Sequence, residues 1–303
     1  MIDFPPMMNW LNQNKILRRG LEVSISMKKL FFTLVLSTIA YMGFSQSCCS
    51  LAKDDMQLMA STKEFQAAHL SPLPYTHVST VGGKMIEFKT PDGKTANAYL
   101  IKAVKPSNKY LFVYQEWWGL NDYIKKQSEV FYGDLKDVTV IAIDMYDGKV
   151  ATDPKEAGAL MAGADPARLQ AIMKGAVAYV GPKAKIASVG WCFGGGLSLQ
   201  SAIIEGKQAV GCVMYYGMPE KNVEKLKTLQ CDVLGLFAGR EQWISKVVVE
   251  QFEKDMATAG KAIKVKSFDA EHAFANPSNP KFDREASEEA YSLAINYLKG
   301  KLK

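Results

Sequence analysis

Cys192 lies at the centre of a glycine-rich segment, Gly190-Trp191-Cys192-Phe193-Gly194-Gly195-Gly196, which directly follows the apolar residues 184–189. A strand followed by Gly-x-nucleophile-x-Gly is typical of a nucleophile elbow, a sharp turn that exposes the central side chain. Small residues are needed on either side because a Cβ there would collide with neighbouring backbone. A phosphate-binding loop is the alternative, but the patterns G-x-G-x-x-G and G-K-[ST] do not fit. The segment therefore predicts a thiol nucleophile rather than a small buried hydrophobe.

Two later segments supply an acid and a histidine, in the chain order that a nucleophile-acid-histidine triad on a parallel sheet uses. Glu241 follows a predicted strand at residues 233–237, and His272 follows another at residues 263–268. The histidine would accept the thiol proton and later deliver it to the leaving group, while the carboxylate would fix its tautomer. Asp269 is a local rival to Glu241, although we expect it to be a turn residue.

Two backbone amides are expected to stabilise an oxyanion: those of Phe193 and of Trp117, in the loop after a predicted strand at residues 110–114. Glu116 in the same loop is flanked by that apolar strand and two tryptophans, where a charge is costly to bury without partners. This placement predicts that Glu116 lies near Cys192 and controls when its thiolate forms. The alternative is a loop glutamate in water.

The pattern of elements predicts an α/β fold. The first two strands alternate around Pro91-Asp92-Gly93, which favours an antiparallel hairpin. Alternating strands and helices follow, which favours a mostly parallel sheet with helices on both faces and active groups at the carboxyl ends of the strands. The remaining predicted strands are 84–90, 95–101, 138–143, 184–189 and 209–215, and the predicted helices are 122–132, 153–162, 166–180, 246–259 and 285–301.

The N-terminus resembles an export signal. Met27-Lys28-Lys29 precedes an apolar stretch at residues 30–40 that is too short to span a bilayer comfortably. We expect a periplasmic or secreted protein, with an uncleaved membrane anchor or a lipid on Cys48 as the less favoured readings. The expected segments are an upstream extension at 1–26, a signal peptide at 27–47, an N-terminal arm at 48–75 and one α/β domain at 76–303.

Composition excludes some function classes. The chain has 303 residues and a net charge of +6, but its lysines are scattered, so nucleic-acid binding has little support. Five cysteines leave an odd thiol; Cys212 and Cys231 are expected to be packing residues, with a disulfide between them left open. Three dispersed histidines show no metal-ligand spacing, and His69 and His77 are expected to be solvated.

Residues 84–301 resemble the dienelactone hydrolase family (carboxymethylenebutenolidase-like) of the α/β-hydrolase fold. The resemblance rests on Gln115-Glu116-Trp117-Trp118-Gly119-Leu120-Asn121, Ile143-Asp144-Met145-Tyr146, Gly190-Trp191-Cys192-Phe193-Gly194-Gly195, Tyr215-Tyr216-Gly217 and His272-Ala273-Phe274-Ala275-Asn276-Pro277. It implies a nucleophile at Cys192, a base at His272, an orienting acid at Glu241 and a glutamate, Glu116, that masks the thiol until substrate enters. Such proteins hydrolyse small lactones and esters without a cofactor.

The chain departs from the family pattern in ways that bear on substrate. Glu241 stands where the family usually has aspartate. The family's archetype grips a substrate carboxylate with two arginines, but here one position is Asn276 and the other region offers only Lys149, a point charge without a bidentate fork. We therefore do not expect dienelactone itself to be the substrate. The candidate substrate-binding residues are Lys149, Tyr146, Asn276 and Trp118.

Together these patterns predict an exported, cofactor-free thiol hydrolase of small esters or lactones that works through an acyl-enzyme. Its partner would be a small-molecule substrate, and contact with a membrane would be limited to the signal or a lipid anchor. A non-catalytic binding or surface-associated protein of the same fold is the alternative. The sequence does not predict an oligomeric state.

Overall fold

The structure, a computed structural model, describes residues 55–303, in which eight strands form one mixed sheet. The strands are β1 (Lys84–Lys89), β2 (Thr95–Ile101), β3 (Lys109–Tyr114), β4 (Thr139–Ile143), β5 (Lys185–Trp191), β6 (Ala209–Tyr215), β7 (Val233–Ala238) and β8 (Ile263–Phe268). Their order across the sheet is β1-β2-β4-β3-β5-β6-β7-β8. The pairs β1–β2 and β2–β4 are antiparallel and the other neighbours are parallel, so the predicted hairpin and mostly parallel sheet are confirmed.

Helices cover both faces of the sheet. They are α1 (Asp55–Met59), α2 (Lys63–Ala68), α3 (Asp122–Leu135), α4 (Pro154–Gly163), α5 (Pro166–Val180), α6 (Phe193–Glu205), α7 (Val223–Thr228), α8 (Lys246–Thr258) and α9 (Arg284–Lys301). A single 3₁₀ turn, Gly206–Gln208, follows α6. The short helices α1, α2 and α7 were not predicted from the sequence.

The core lies along the central strands. Most residues of β3 to β7 are buried, because helices cover both sides of the sheet there, and this explains their predominantly apolar sequences. The edge strands β1 and β8 are largely exposed or half-buried. Lys264 and Lys266 place charges on β8, which discourages pairing with another chain.

Two adjacent helices begin at an aspartate followed by a proline. Asp153 caps α4 and Asp165 caps α5, where its carboxylate accepts the Ala167 N–H at 3.0 Å. Proline suits the first helical position because its backbone angle is already helical and the missing N–H would have no partner within the helix. These local signals explain why both helices begin within one residue of their predicted starts.

The described part of the N-terminal arm, residues 55–75, packs on the α/β body. The Gln57 side chain donates to the Met161 carbonyl oxygen at 3.1 Å in a buried contact. Gly158 of α4 faces the arm so closely that a Cβ there would lie 2.4 Å from the Ala60 carbonyl oxygen. The arm is therefore a folded part of the molecule at these residues.

Several predictions fall on other parts of the chain. The expected extension, the signal peptide, Cys48 and Cys49 lie outside the described residues. Within residues 55–303, no helix is long and apolar enough to cross a membrane.

Cys212 and Cys231 are both free thiols, so the disulfide that the sequence left open is not formed.

Candidate active site

Cys192 occupies the turn between β5 and α6 with a φ of 56° and a ψ of −121°. A positive φ is uncommon for a residue other than glycine and marks a strained backbone. The turn is held by the Cys192 N–H, which donates to the Tyr215 carbonyl oxygen of the neighbouring strand at 3.0 Å. The backbone therefore has the sharp strand-to-helix turn that the sequence predicts.

The glycines on either side of this turn are packed against backbone. A Cβ on Gly190 would lie 2.0 Å from the Gly194 carbonyl oxygen, and a Cβ on Gly194 would lie 2.3 Å from the Tyr114 carbonyl oxygen. Rotation of a side chain cannot relieve such overlaps because both partners are main chain. The requirement for glycine at these two positions is therefore steric.

His272 and Glu241 meet at the carboxyl edge of the sheet, each from the loop after its strand. His272 Nδ1 lies 2.8 Å from Glu241 Oε1, and the two side chains are 8% and 1% exposed. The rival Asp269 is on an exposed bend, 88% exposed, where it pairs with Arg240 at 3.6 Å. Glu241, not Asp269, is thus the carboxylate that contacts the histidine.

Cys192 and His272 lie side by side: the sulfur and one ring nitrogen are within 4.8 Å of each other. Burial raises the pKa of the Cys192 thiol, and this is only partly offset by His272 and by the Phe193 N–H at the start of α6. Burial acts to lower the pKa of His272, but the Glu241 carboxylate and the Cys192 sulfur raise it well above its ordinary value. The pair therefore favours a protonated thiol at rest beside a basic histidine.

Glu116 is buried in the same cluster, being only 5% exposed. Asn276 donates its side-chain N–H to Glu116 Oε2. Burial raises the pKa of Glu116 to about 7, although His272, Tyr216 and Asn276 favour its charged form. The alternative of a loop glutamate in water is therefore wrong.

One predicted oxyanion donor, Phe193, directly follows Cys192, and the other, Trp117, lies in the loop after β3. Phe193 is the first residue of α6, and the first amides of a helix have no partner within it. Trp117 follows β3 and is buried, like Trp118, against which its ring packs at 4.9 Å. Oxyanion binding by the Phe193 and Trp117 amides stays a prediction.

The sequence profile described as the Dienelactone hydrolase family matches residues 96–302. The chain belongs to the dienelactone hydrolase family. A carboxymethylenebutenolidase-like protein of Aquifex aeolicus is 27% identical over 234 residues, covering 73% of this chain and all of the relative. The carboxymethylenebutenolidase of a Pseudomonas species is 29% identical over 119 residues, covering 38% of this chain and 47% of the relative.

Solved structures of dienelactone hydrolases share the fold. The enzyme of Anabaena variabilis aligns with a TM-score of 0.55 at 15% identity, over 73% of this chain and 98% of that one. A dienelactone hydrolase-like promiscuous phosphotriesterase from metagenomic libraries aligns with a TM-score of 0.63 at 16% identity, over 73% and 99%. At such identities the likeness concerns the fold alone, and it confirms the predicted α/β-hydrolase architecture.

The four predicted substrate-binding residues of this family member lie in different surroundings. Asn276 is in the cluster, through Glu116. Tyr146 is buried and stacks on the Phe193 ring at 5.9 Å. Trp118 is also buried and packs edge-on against the Trp117 ring. Lys149 lies on an exposed turn, and no contact described within residues 55–303 joins it to Cys192 or His272.

A small cavity opens beside Glu116, with an enclosed volume of about 30 Å³, roughly the share of one water molecule. Its nine lining residues include Glu116, Asn121, Gln127, Trp191 and Asn276, and none of the nine is lysine, arginine or histidine. Glu116 and Asn276 belong both to this lining and to the cluster around Cys192, so the cavity adjoins the cluster, although neither Cys192 nor His272 lines it. Lys149 does not line it.

His69 is the residue of the site that the sequence did not predict. It is 5% exposed, so the expectation that it is solvated is wrong. Its ring lies 4.1 Å from that of Phe65, 4.7 Å from Trp117 and 5.1 Å from His272. Burial and the neighbouring His272 lower the pKa of His69 to about 3, so it is neutral at physiological pH.

His77 is also less solvated than predicted. Its side chain is 7% exposed, and Nε2 lies 3.1 Å from Glu129 Oε1 on α3. Both errors have the same cause: the arm packs on the α/β body, and no local sequence signal shows which surface an arm covers. A buried Phe65 four residues before His69 is the only hint, since it places both side chains on one face of a helical turn.

Proposed function

We propose that this protein hydrolyses small, uncharged esters or lactones, and that Cys192, His272 and Glu241 carry out the reaction through an acyl-enzyme. Family membership supports hydrolysis of carboxylic esters. The observation that carries the proposal is the convergence of the three side chains, with His272 2.8 Å from Glu241 and next to a cysteine on a strained elbow. This is the arrangement of a nucleophile, its base and the group that orients the base.

In the first half-reaction, His272 takes the thiol proton while the Cys192 sulfur attacks the carbonyl carbon. The carbonyl oxygen becomes an oxyanion, to which the Phe193 and Trp117 amides would donate. The carbon–oxygen bond to the leaving group then breaks, and His272 gives its proton to the departing alkoxide. The product is a thioester on Cys192 and a free alcohol, or the open hydroxyl end of a lactone.

In the second half-reaction, His272 removes a proton from water as that water attacks the thioester. Collapse of the second tetrahedral intermediate breaks the carbon–sulfur bond, and the proton returns to the Cys192 sulfur. The acid is released and the resting thiol is restored. Glu241 stabilises the imidazolium in both halves by its contact with Nδ1. No cofactor takes part.

Glu116 would control the nucleophile between turnovers. A carboxylate near Cys192 opposes formation of the thiolate, because two negative charges in a buried site repel each other. A substrate in the adjacent cavity would contact Glu116 and Asn276 and so change this balance. The thiol would then be reactive chiefly when the cavity is filled.

The cavity also points to the class of substrate. With an acidic side chain and no cationic one in its lining, it offers an anionic substrate no counter-ion. We therefore favour neutral esters and lactones over carboxylate-bearing ones. The apolar stretch at residues 30–40 supports export of the enzyme to the periplasm or medium.

The decisive experiment compares Cys192→Ala with Cys212→Ala, because both change a buried cysteine. Hydrolysis of p-nitrophenyl acetate should fall at least about 10³-fold in Cys192→Ala and stay near the wild-type rate in Cys212→Ala. Acyl-enzyme formation is checked by mass spectrometry of the quenched protein, with the acyl group on Cys192. Equal activity in the two variants would disprove the proposal and favour a non-catalytic binding protein.

A further inference from the structure

Three donor atoms from separate parts of the chain meet at the active-site cysteine. One ring nitrogen of His69, the Cys192 sulfur and one ring nitrogen of His272 all lie within 4.8 Å of one another, and all three residues are buried or nearly so. His69 comes from the arm, Cys192 from the elbow and His272 from the loop after β8. The hydrolytic mechanism uses two of these groups and assigns no task to His69.

The ring of His69 is held so that one nitrogen faces this cluster. Nδ1 lies 2.6 Å from the Phe65 carbonyl oxygen, which can only accept, so Nδ1 carries the ring hydrogen. Nε2 then carries a lone pair. It is buried and has no hydrogen-bond partner within residues 55–303. An unpartnered acceptor in a buried site is unfavourable, which points to a ligand that this nitrogen would meet.

The second histidine also has an acceptor oxygen next to Nδ1, here at ion-pair distance. Nδ1 of His272 contacts Glu241 Oε1 at 2.8 Å, which leaves Nε2 for the side of the ring that faces Cys192. Histidines that bind metals almost always present one nitrogen to the ion and donate the other N–H to a carboxylate or a backbone carbonyl. Here Glu241 supplies the carboxylate next to His272, and Phe65 supplies the backbone carbonyl next to His69.

We propose that His69, Cys192 and His272 form a binding site for a zinc ion, with two imidazole nitrogens and one thiolate as ligands. This donor set suits a borderline-soft divalent ion, and a site with three protein ligands leaves a fourth position for water. Ligands at metal distances of about 2.0 to 2.3 Å stand roughly 3.5 Å apart in a tetrahedral site, so the three side chains close by about 1 Å on binding. The Cys192 thiol loses its proton to solvent when its sulfur binds.

An ion in this site holds the sulfur that the proposed hydrolysis needs. Metal binding and acyl transfer therefore exclude each other, and this consequence rests on the proposed function. The binding itself does not, since it requires only the three donors. The bound ion would also tie the arm to the α/β body through His69.

Cobalt(II) is a spectroscopic probe for such a site, because a cysteine thiolate gives a near-ultraviolet charge-transfer band and tetrahedral coordination gives intense visible bands. We expect the reduced full chain to bind one Co²⁺ with both features, and Zn²⁺ to displace it. Cys192→Ala should abolish the charge-transfer band. His69→Gln should weaken binding by at least about 100-fold, the upper end of what loss of a supporting residue costs, and His77→Gln should leave it unchanged.

A rescue variant separates a lost ligand from a damaged fold. His69→Cys replaces an imidazole nitrogen by a thiolate, which is also a zinc ligand, so it should regain affinity relative to His69→Gln and strengthen the charge-transfer band. Absence of both bands in the wild type, or equal Co²⁺ affinity in wild type and His69→Gln, would overturn the proposal. Esterase measurements without metal are independent: a chain that binds Co²⁺ but has no esterase activity would refute the proposed hydrolysis and leave the metal site standing.

Discussion

Asn276 donates its side-chain N–H to Glu116 across 160 residues of sequence, joining the loop after β8 to the loop after β3. Its own Oδ1 accepts from the Ser278 backbone at 2.8 Å, which fixes the direction of the amide. A buried carboxylate thus has a donor that is itself held in place. The position of Glu116 in the site is therefore fixed by a hydrogen bond from a side chain that is itself held in place.

Replacing this donor should make stability more sensitive to pH. The pKa of Glu116 is raised to about 7, so the stability gained from its protonated form is present at low pH and lost as pH rises through 7. Asn276→Leu should cost about 1–3 kcal/mol at pH 8, where the carboxylate is left unpaired, and less at pH 5. Urea unfolding at both values measures this. The double variant with Glu116→Gln should lose most of the pH dependence, and an equal cost at both pH values would contradict the prediction.

Substitutions at Glu241 should distinguish the effect of its carboxylate charge on kcat/KM from the effect of its side-chain length. Glu241→Gln keeps the length and removes the charge, and kcat/KM should fall about 10²–10⁴-fold because the imidazolium loses its support. Glu241→Asp keeps the charge but shortens the reach behind the 2.8 Å contact, and a fall of about 10- to 100-fold is expected from misplacement of the histidine. Asp269→Asn, on the exposed bend, is the matched control and should leave kcat/KM within about twofold. A loss in Asp269→Asn as large as in Glu241→Gln would show that the wrong acid is assigned.

The cavity should discriminate by charge. We expect p-nitrophenyl butyrate to be hydrolysed with a kcat/KM at least about tenfold higher than the half-ester p-nitrophenyl glutarate, since the latter's carboxylate would meet Glu116. Gln127→Arg places a cation in the lining and should reduce or reverse this preference. Gln251→Arg adds the same charge on the exposed face of α8 and should not. A preference unaffected by Gln127→Arg would mean that the substrate binds elsewhere.

A second buried carboxylate, that of Glu205, has no role in the proposed reaction. It should make the free energy of unfolding fall as pH rises above 6. Burial raises the pKa of Glu205 to about 8, while Ser201 donates to it at 2.6 Å. The stabilising protonated form is fully present below the unfolded pKa and lost as pH rises through 8, so Glu205 alone should account for a loss of about 2 kcal/mol between pH 6 and pH 8, in addition to the loss from Glu116. Glu205→Gln should remove most of that loss in urea unfolding. Glu224→Gln, whose side chain is 77% exposed, should show the wild-type slope, and a wild-type slope in Glu205→Gln would refute the assignment.

Much of the fold was predictable because its signals are local. The hairpin, the capped helices and the buried strands each depend on residues that are neighbours in sequence. The spacing of glycines around Cys192 likewise predicts the elbow. The meeting of Cys192, Glu241 and His272 follows from one rule, that parallel strands end at the same edge of the sheet. The burial of Glu116 was predictable too, since its position between an apolar strand and two tryptophans favours a buried side chain.

The arm was not predictable in this way. His69 and His77 sit in polar sequence without strands to orient them, and their burial depends on surfaces formed by residues far along the chain. Lys149 shows the opposite case: the family resemblance expects a cation in its region, which suggested a place in the site, but the residue is exposed. Short local patterns do not fix which long-range contacts such residues make.

The packing of His69 between Phe65 and His272 means that one wall of the reaction chamber precedes the part of the chain that defines its family, residues 96–302. A domain boundary placed at the start of the family match would leave that wall out entirely. A chain trimmed to residues 96–302 would keep Cys192, Glu241 and His272 but would lack His69, whose ring lies 5.1 Å from that of His272.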